Sequence, residues 1–326
     1  MTFKVGAQIL TYGATWDEAL ETVRWLDDAG YTYIWGHDHL YSTGGNPYQG
    51  FFEGWTTLAA WAQATSRARL GLLVGANTFR NPGVVAKMAV TIDHASHGRS
   101  ILGLGAGNMA FEAQAHGIDP GRTMGERMDW FEESLAIVVA LLAGEEVTHH
   151  SDKYQFEAVR HAPGPVQARI PVVIGAEGEK RGLKLVARYA DIWQWFAPFD
   201  GVATFRHKDE VLRAHAADEG RDAATIERML GAKLILRSDP DEAQRVAEEL
   251  VAIHKWGPSV WDSVWATTPE RAADRLAEFV EAGAHSFSPQ IGWPYDRETI
   301  ERLIGEVVPA VEASVAQGKA GKVPEG

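Results

Sequence analysis

Short apolar runs alternate along this chain with longer stretches whose apolar residues recur every three or four positions. Runs at 3–9, 31–35, 70–74, 100–105, 171–174, 190–193, 232–236 and 285–289 are brief and mostly apolar. That is the pattern of parallel strands covered on both faces. Between them the spacing predicts amphipathic helices. At 17–29, Leu20, Val23 and Leu26 share a face, and Gly30 follows as a helix terminator. At 126–143, Met128, Phe131, Leu135, Val138 and Leu142 form a second stripe. Thr268-Pro269-Glu270 reads as an N-cap and first-turn proline ahead of Leu276, Phe279 and Val280. A last stripe joins Ile300, Leu303, Ile304, Val307, Val308 and Val311.

Eight such units in about 315 residues predict an α/β fold, a (β/α)8 TIM barrel forming one domain over 1–314. A doubly wound dinucleotide-binding sheet places Gly-x-Gly-x-x-Gly after its first strand. Here Gly103-Leu104-Gly105-Ala106-Gly107 follows the fourth strand, with different spacing. Two stretches exceed ordinary loop length. One, 144–170, is a long insertion after the fourth β/α unit; the other, 255–267, is rich in Trp, Pro and Gly. Both read as lids or substrate walls, and the aromatics Trp256, Trp261 and Trp265 as exposed lid or dimer contacts. The small and polar tail, 315–326, reads as frayed.

Composition narrows the chemistry. The 326 residues are 45% hydrophobic, carry a net charge of −13 and include no cysteine. Disulfides, thiolate metal sites and cysteine nucleophiles are thereby excluded. The negative balance argues against nucleic acid or an anionic membrane as partner. The N-terminal residues show no signal-peptide pattern, and no apolar run approaches the roughly 20 residues of a bilayer span. A cytoplasmic chain acting on a small molecule is the expectation.

Three strand ends carry candidate chemistry. Ser100 to Asn108 runs from an apolar strand into Gly103, Gly105 and Gly107, and Pro171 to Gly178 ends in Gly175, Ala176, Glu177 and Gly178. Glycines there let backbone approach a flat or phosphorylated ligand. A helix expected to start near Glu179 offers N–H groups to an anion, with Lys180 and Arg181 in its first turn. Glu177 suits such a site only with its carboxylate turned outward. The second strand ends in His37-Asp38-His39. A histidine at a strand end is suited to proton transfer. His37-x-His39 also resembles a zinc-hydrolase pair, but no third ligand with matching spacing is evident, so no metal is assigned. Trp35, Trp55, Trp193, Trp195 and Trp293, with Phe51, Phe52 and Tyr48, are candidates for core or for an apolar pocket wall.

These segments resemble the bacterial luciferase-like flavin and deazaflavin oxidoreductases over roughly 4–311. The resemblance rests on Ile34-Trp35-Gly36-His37-Asp38-His39-Leu40, on Leu70 to Pro82, and on His97-Gly98-Arg99 leading into the glycines. It continues with Glu112 and His116-Gly117-Ile118, and with Ile174 to Arg181 followed by Ala187 to Trp193. The pattern is most similar to the branch using coenzyme F420. It implies a cofactor at the C-terminal mouth, a homodimer, and a non-proline cis peptide at Leu73-Val74. It implies contacts to the cofactor from Leu73, Val74, Gly75, Ala76, Asn77, Gly105, Gly107, Asn108, Gly175, Ala176, Glu177, Gly178 and Lys180. His39, Asp38 and Glu112 are the implied catalytic groups. Asn108 stands where some sugar-phosphate dehydrogenases carry a glutamate, which argues against a sugar-phosphate substrate. The alternatives are an FMN-dependent two-component monooxygenase of the same family and a flavin-binding protein without turnover.

Overall fold

The computed structural model describes residues 2–317. Its strands are β1 (Lys4–Leu10), β2 (Tyr33–Gly36), β3 (Arg69–Leu72), β4 (Gly75–Ala76) and β5 (Leu102–Gly105). After these come β6 (Val147–His150), β7 (Gln155–Val159), β8 (Val172–Gly175), β9 (Ile192–Phe196), β10 (Glu227–Gly231) and β11 (Lys233–Leu236). β12 (Val264–Thr267), β13 (Ser286–Phe287) and β14 (Gln290–Gly292) complete them. Apart from β6 and β7, all pair in parallel. β1 pairs with β2, β2 with β3, β4 with β5, then β5–β8–β9–β10–β13 returns to β1. A bridge between Leu70 and Ser100 closes the remaining gap. The pairs β3/β4, β10/β11 and β13/β14 each act as one interrupted stave, so the wall is an eight-stave (β/α)8 barrel.

Tryptophan fills the barrel. Trp35 is fully buried among Tyr33, Ile101, Val173, Ile192 and Met229. Glycines leave it room: a Cβ on Gly71 would stand 2.8 Å from the Trp35 ring, and one on Gly6 3.0 Å from its Nε1. That Nε1 donates to Ser288 Oγ at 3.1 Å. The helices cover the outside and are capped as their sequence suggests. The helix Trp16–Asp28 starts at a capping box, with Thr15 and Glu18 bonding each other's backbone N–H. It is followed by Gly30 at φ +89. Thr123 and Thr268 cap Met124–Leu142 and Pro269–Glu281.

All eight predicted strands lie in the barrel wall, with four local differences. The seventh stave starts at Glu227 rather than 232, because Arg228 is buried within it. Its Nε donates to Asp209 Oδ1 at 2.7 Å and its Nη1 to the carbonyls of Ala223 and Ile226. A buried arginine defeats an apolar-run reading. The insertion 144–170 is not all loop; it contains the antiparallel hairpin β6/β7, whose exposed Thr148 and His150 and half-buried His149 carry little apolar signal. The 255–267 stretch ends in a strand, β12, paired to β11. There Trp265 is 1% exposed and stacks on Phe279 and Phe287, so it is core rather than lid. Finally, the helix Val308–Ala316 continues through the start of the expected frayed tail, and residues 318–326 of that tail lie outside the described residues. Among the described residues no helix is long and apolar enough to cross a membrane.

Candidate active site

A cavity of about 870 Å³ opens at the C-terminal ends of the strands, within the size range of ligand sites. The turns after β2, around β4, after β5 and after β8 line it, with Gln194 and Phe196 of β9 and Gln290 of β14. Its apolar wall comes from Phe79, Met109, Met124, Met128 and Phe131. The expected wall aromatics are elsewhere: Trp35, Trp55, Trp193 and Trp195 are core, and Tyr48 is exposed. Trp35, Trp193 and Trp195 pack from barrel strands, and Trp55 from the helix Gly54–Ala64.

The structure brings His39 and Glu112 together. His39 Nδ1 lies 2.6 Å from Glu112 Oε1. Glu112 Oε2 accepts the backbone N–H groups of Leu40 at 2.8 Å and Tyr41 at 3.3 Å. The carboxylate is thus fixed from two sides, and it fixes the imidazole. With Nδ1–H directed at Glu112, His39 Nε2 is the nitrogen left to exchange a proton. Asp38 is held differently. Its carboxylate is paired with Arg80 Nη1 at 2.8 Å and accepts the Ala76 N–H at 2.8 Å. Burial pushes its pKa up against the pull of Arg80. Arg80 also bonds Glu53, at 2.5 Å. Asp38 therefore ties the β2 turn to β4, and its geometry is that of a scaffold. His37 packs edge-on to His39 at 4.3 Å between ring centres. Burial, with His39 and Lys233 nearby, holds its pKa well below the ordinary histidine value, so it is a neutral imidazole. Its Nδ1 is buried without a partner.

The floor is backbone and small side chains. Leu73-Val74 is a cis peptide, and the Leu73 carbonyl accepts the Gln8 side-chain N–H. Leu73, Val74, Gly75, Ala76, Gly105, Gly107 and Asn108 all line the cavity. Asn77 does not; it is buried behind the wall, its Nδ2 donating to Tyr154 at 3.3 Å. The three evenly spaced glycines meet different needs. Gly103 lets β5 pass close to Leu72 of β3, where a Cβ would collide with backbone. A Cβ on Gly105 would stand 2.8 Å from Val74 Cγ2. Gly107 has φ +82, a left-handed turn.

Residues 175–182 line the far end. The helix there is Gly182–Tyr189 rather than one starting near Glu179, so Lys180 and Arg181 precede it. Arg181 is already engaged by Asp129 at 2.7 Å. Glu177 is exposed, and its carbonyl accepts Lys208 Nζ at 2.6 Å. Arg127 is a lining residue that the sequence reading overlooks; its Nε is buried without a partner. Its place within an amphipathic helix hid it. Gln194 was equally hidden, inside an apolar strand. It is 7% exposed, and its Nε2 lacks a partner at the cavity wall. Among the described residues no three His, Asp or Glu side chains are grouped to hold a metal.

The site is thus a glycine-walled cavity at the mouth of a parallel α/β barrel, with a histidine–glutamate pair at its edge. Residues 1–261 match the luciferase-like monooxygenase family, and the chain belongs to it; members of that family are oxidoreductases or monooxygenases. An uncharacterised protein of Mycobacterium tuberculosis is 32% identical over 239 residues, 72% of this chain and 76% of that protein. Limonene 1,2-monooxygenase of Rhodococcus erythropolis is 34% identical over 170 residues, 52% of this chain and 42% of that enzyme. In fold the chain is similar to an F420-dependent secondary alcohol dehydrogenase, with a TM-score of 0.81 at 20% identity over 95% of this chain and 99% of that one. The residues present fit a flavin or deazaflavin. Close approach at Gly105 and the Gln194 Nε2 and Arg127 Nε, which lack partners among the described residues, are what a planar, carbonyl-bearing, phosphorylated group requires.

Proposed function

We propose that this chain is a coenzyme F420-dependent oxidoreductase that transfers hydride to or from an apolar or aromatic small molecule. The observation that carries this reading is the His39–Glu112 contact of 2.6 Å at the edge of the glycine-walled cavity. When bound, the deazaflavin supplies the two-electron chemistry. The chain's own residues do the rest. Glu112 orients His39, and His39 Nε2 gives or takes the proton that accompanies hydride transfer. The Gln194 amide and the backbone around Gly75, Ala76, Gly105 and Gly107 orient the ring. Arg127, Lys180 and the backbone N–H groups of 177–182 hold the phosphate. Phe79, Met124, Met128 and Phe131 exclude water.

The F420 assignment is supported by the alcohol dehydrogenase and by the methanopterin reductase that share the fold, both named as F420-dependent. A second reading, an FMN-dependent monooxygenase, is favoured by relatives at 31–34% identity named as monooxygenases. Titration with F420 and with FMN, followed by tryptophan fluorescence, separates them. Tight F420 and weak FMN binding is expected; the reverse moves the chain to the monooxygenase branch, and binding of neither overturns the redox reading. His39→Ala is expected to lower turnover about 10²–10⁴-fold with cofactor affinity preserved. Unchanged turnover removes His39 from the chemistry.

A further inference from the structure

Lys233 opens β11 at the barrel mouth. It is in register with Gln290 of β14, whose side chain donates to Gln8 at 2.8 Å. Residues in register on adjacent strands project to the same face, so Lys233 shares the inner face with Gln290. Gln290 lines the large cavity and also a small apolar one of about 30 Å³ that Lys233 borders. Among the described residues the ammonium has no carboxylate partner and no hydrogen-bond acceptor. It lies instead over two rings, 5.1 Å from the centre of Trp256 and 5.5 Å from that of Phe196. Burial pushes its pKa down to about 8, with no negative group opposing the shift.

Two further buried nitrogens, His37 Nδ1 and Gln194 Nε2, have no hydrogen-bond partner among the described residues. The His37 Nδ1 is buried and partnerless, on a ring close enough to feel the Lys233 charge. The Gln194 Nε2 is partnerless beside Gly231, where a Cβ would stand 2.9 Å from it. Gly231 is two residues before Lys233. A desolvated cation over two rings, with no acceptor among the described residues, is costly to maintain unless a ligand completes it. In a chain of net charge −13, it is also a local exception that favours an anion.

We propose that Lys233 anchors the substrate through an anionic oxygen, which makes the substrate an apolar or aromatic carboxylate lying against Phe196 and Trp256. This rests on the reading of the cavity as the redox site and adds its substrate class. The cation–π contacts would favour an aromatic body, and the absence of a competing carboxylate leaves the ammonium available.

The test uses benzoate and its neutral isostere benzamide as probes, titrated calorimetrically into the full chain without added cofactor. Benzoate is expected to bind at least tenfold more tightly than benzamide. Lys233→Met is expected to abolish that preference, and Lys233→Arg to retain most of it. Equal binding of the two probes to the unsubstituted chain overturns the proposal, a result that needs no variant to fold. So does a preference that survives in Lys233→Met. The F420 and FMN titrations read the redox assignment separately: if neither cofactor binds while the benzoate preference holds, the redox reading falls and the anion site stands.

Discussion

Single side chains in this protein hold backbone as often as they face the cavity. Asp27 shows the balance of forces at that scale. Its buried carboxylate accepts N–H groups from Ser66 at 2.8 Å, Arg67 at 2.9 Å and Ala68 at 2.6 Å, fixing the turn into β3. Burial pushes its pKa up, yet those backbone donors and the Ser66 hydroxyl together hold it below its ordinary 3.8. A depressed carboxyl stabilises the fold above its unfolded pKa and ceases to do so as pH falls through its folded one. Asp27→Asn is therefore expected to cost about 1.5–3 kcal/mol near neutrality. The difference between the two chains should shrink below pH 3.8. Urea midpoints measured across pH 2–7 (roughly the window in which a carboxyl titrates) check this; a gap independent of pH would show that the carboxylate charge is not what matters. His39 was legible as a residue type at a strand end, and Glu112, in the short helix Ala110–Ala115, through the family resemblance. Their contact was not, because 73 positions separate them. The family resemblance implied a catalytic Asp38; in space it is paired with Arg80.

At the scale of elements, local grammar explains most boundaries. Threonines at helix starts and glycines after helix ends carry their signal within four residues, so they survive any tertiary context. The Thr15 capping box is such a unit. Thr15→Ala is expected to lower stability by about 0.5–2 kcal/mol, read by urea unfolding, with no change in cofactor affinity, since the helix start lines no part of the cavity. Elements whose stability comes from a distant partner were less legible. β12 exists because Val264, Trp265, Ala266 and Thr267 pair with β11, and the polar start of β10 exists because Asp209 lies opposite Arg228. The hairpin β6/β7 is held by its own pairing and by Val147 and Phe156 packed into the core, with alternation too weak to distinguish from loop.

Across the whole molecule, the barrel depends on filling its interior. Trp35 meets Tyr33 at 5.3 Å between ring centres and packs against Gly6 and Gly71. Replacing it with Ala is expected to cost about 3–5 kcal/mol, seen as a lower denaturation midpoint; a loss under about 1 kcal/mol would mean the barrel repacks around the gap. The number of staves, their parallel arrangement and the location of the mouth chemistry followed from hydrophobic period and glycine placement, because burial acts on each segment independently. Which polar groups are spent on structure and which remain for ligand could be decided only in three dimensions. Arg80 and Arg181 are consumed by carboxylates, whereas among the described residues Arg127 Nε, Gln194 Nε2 and Lys233 Nζ are left without hydrogen-bond partners at or beside the cavity. Charge pairing and hydrogen bonding are short-ranged and join residues far apart in the chain, so their outcome depends on the closed barrel that brings those residues together.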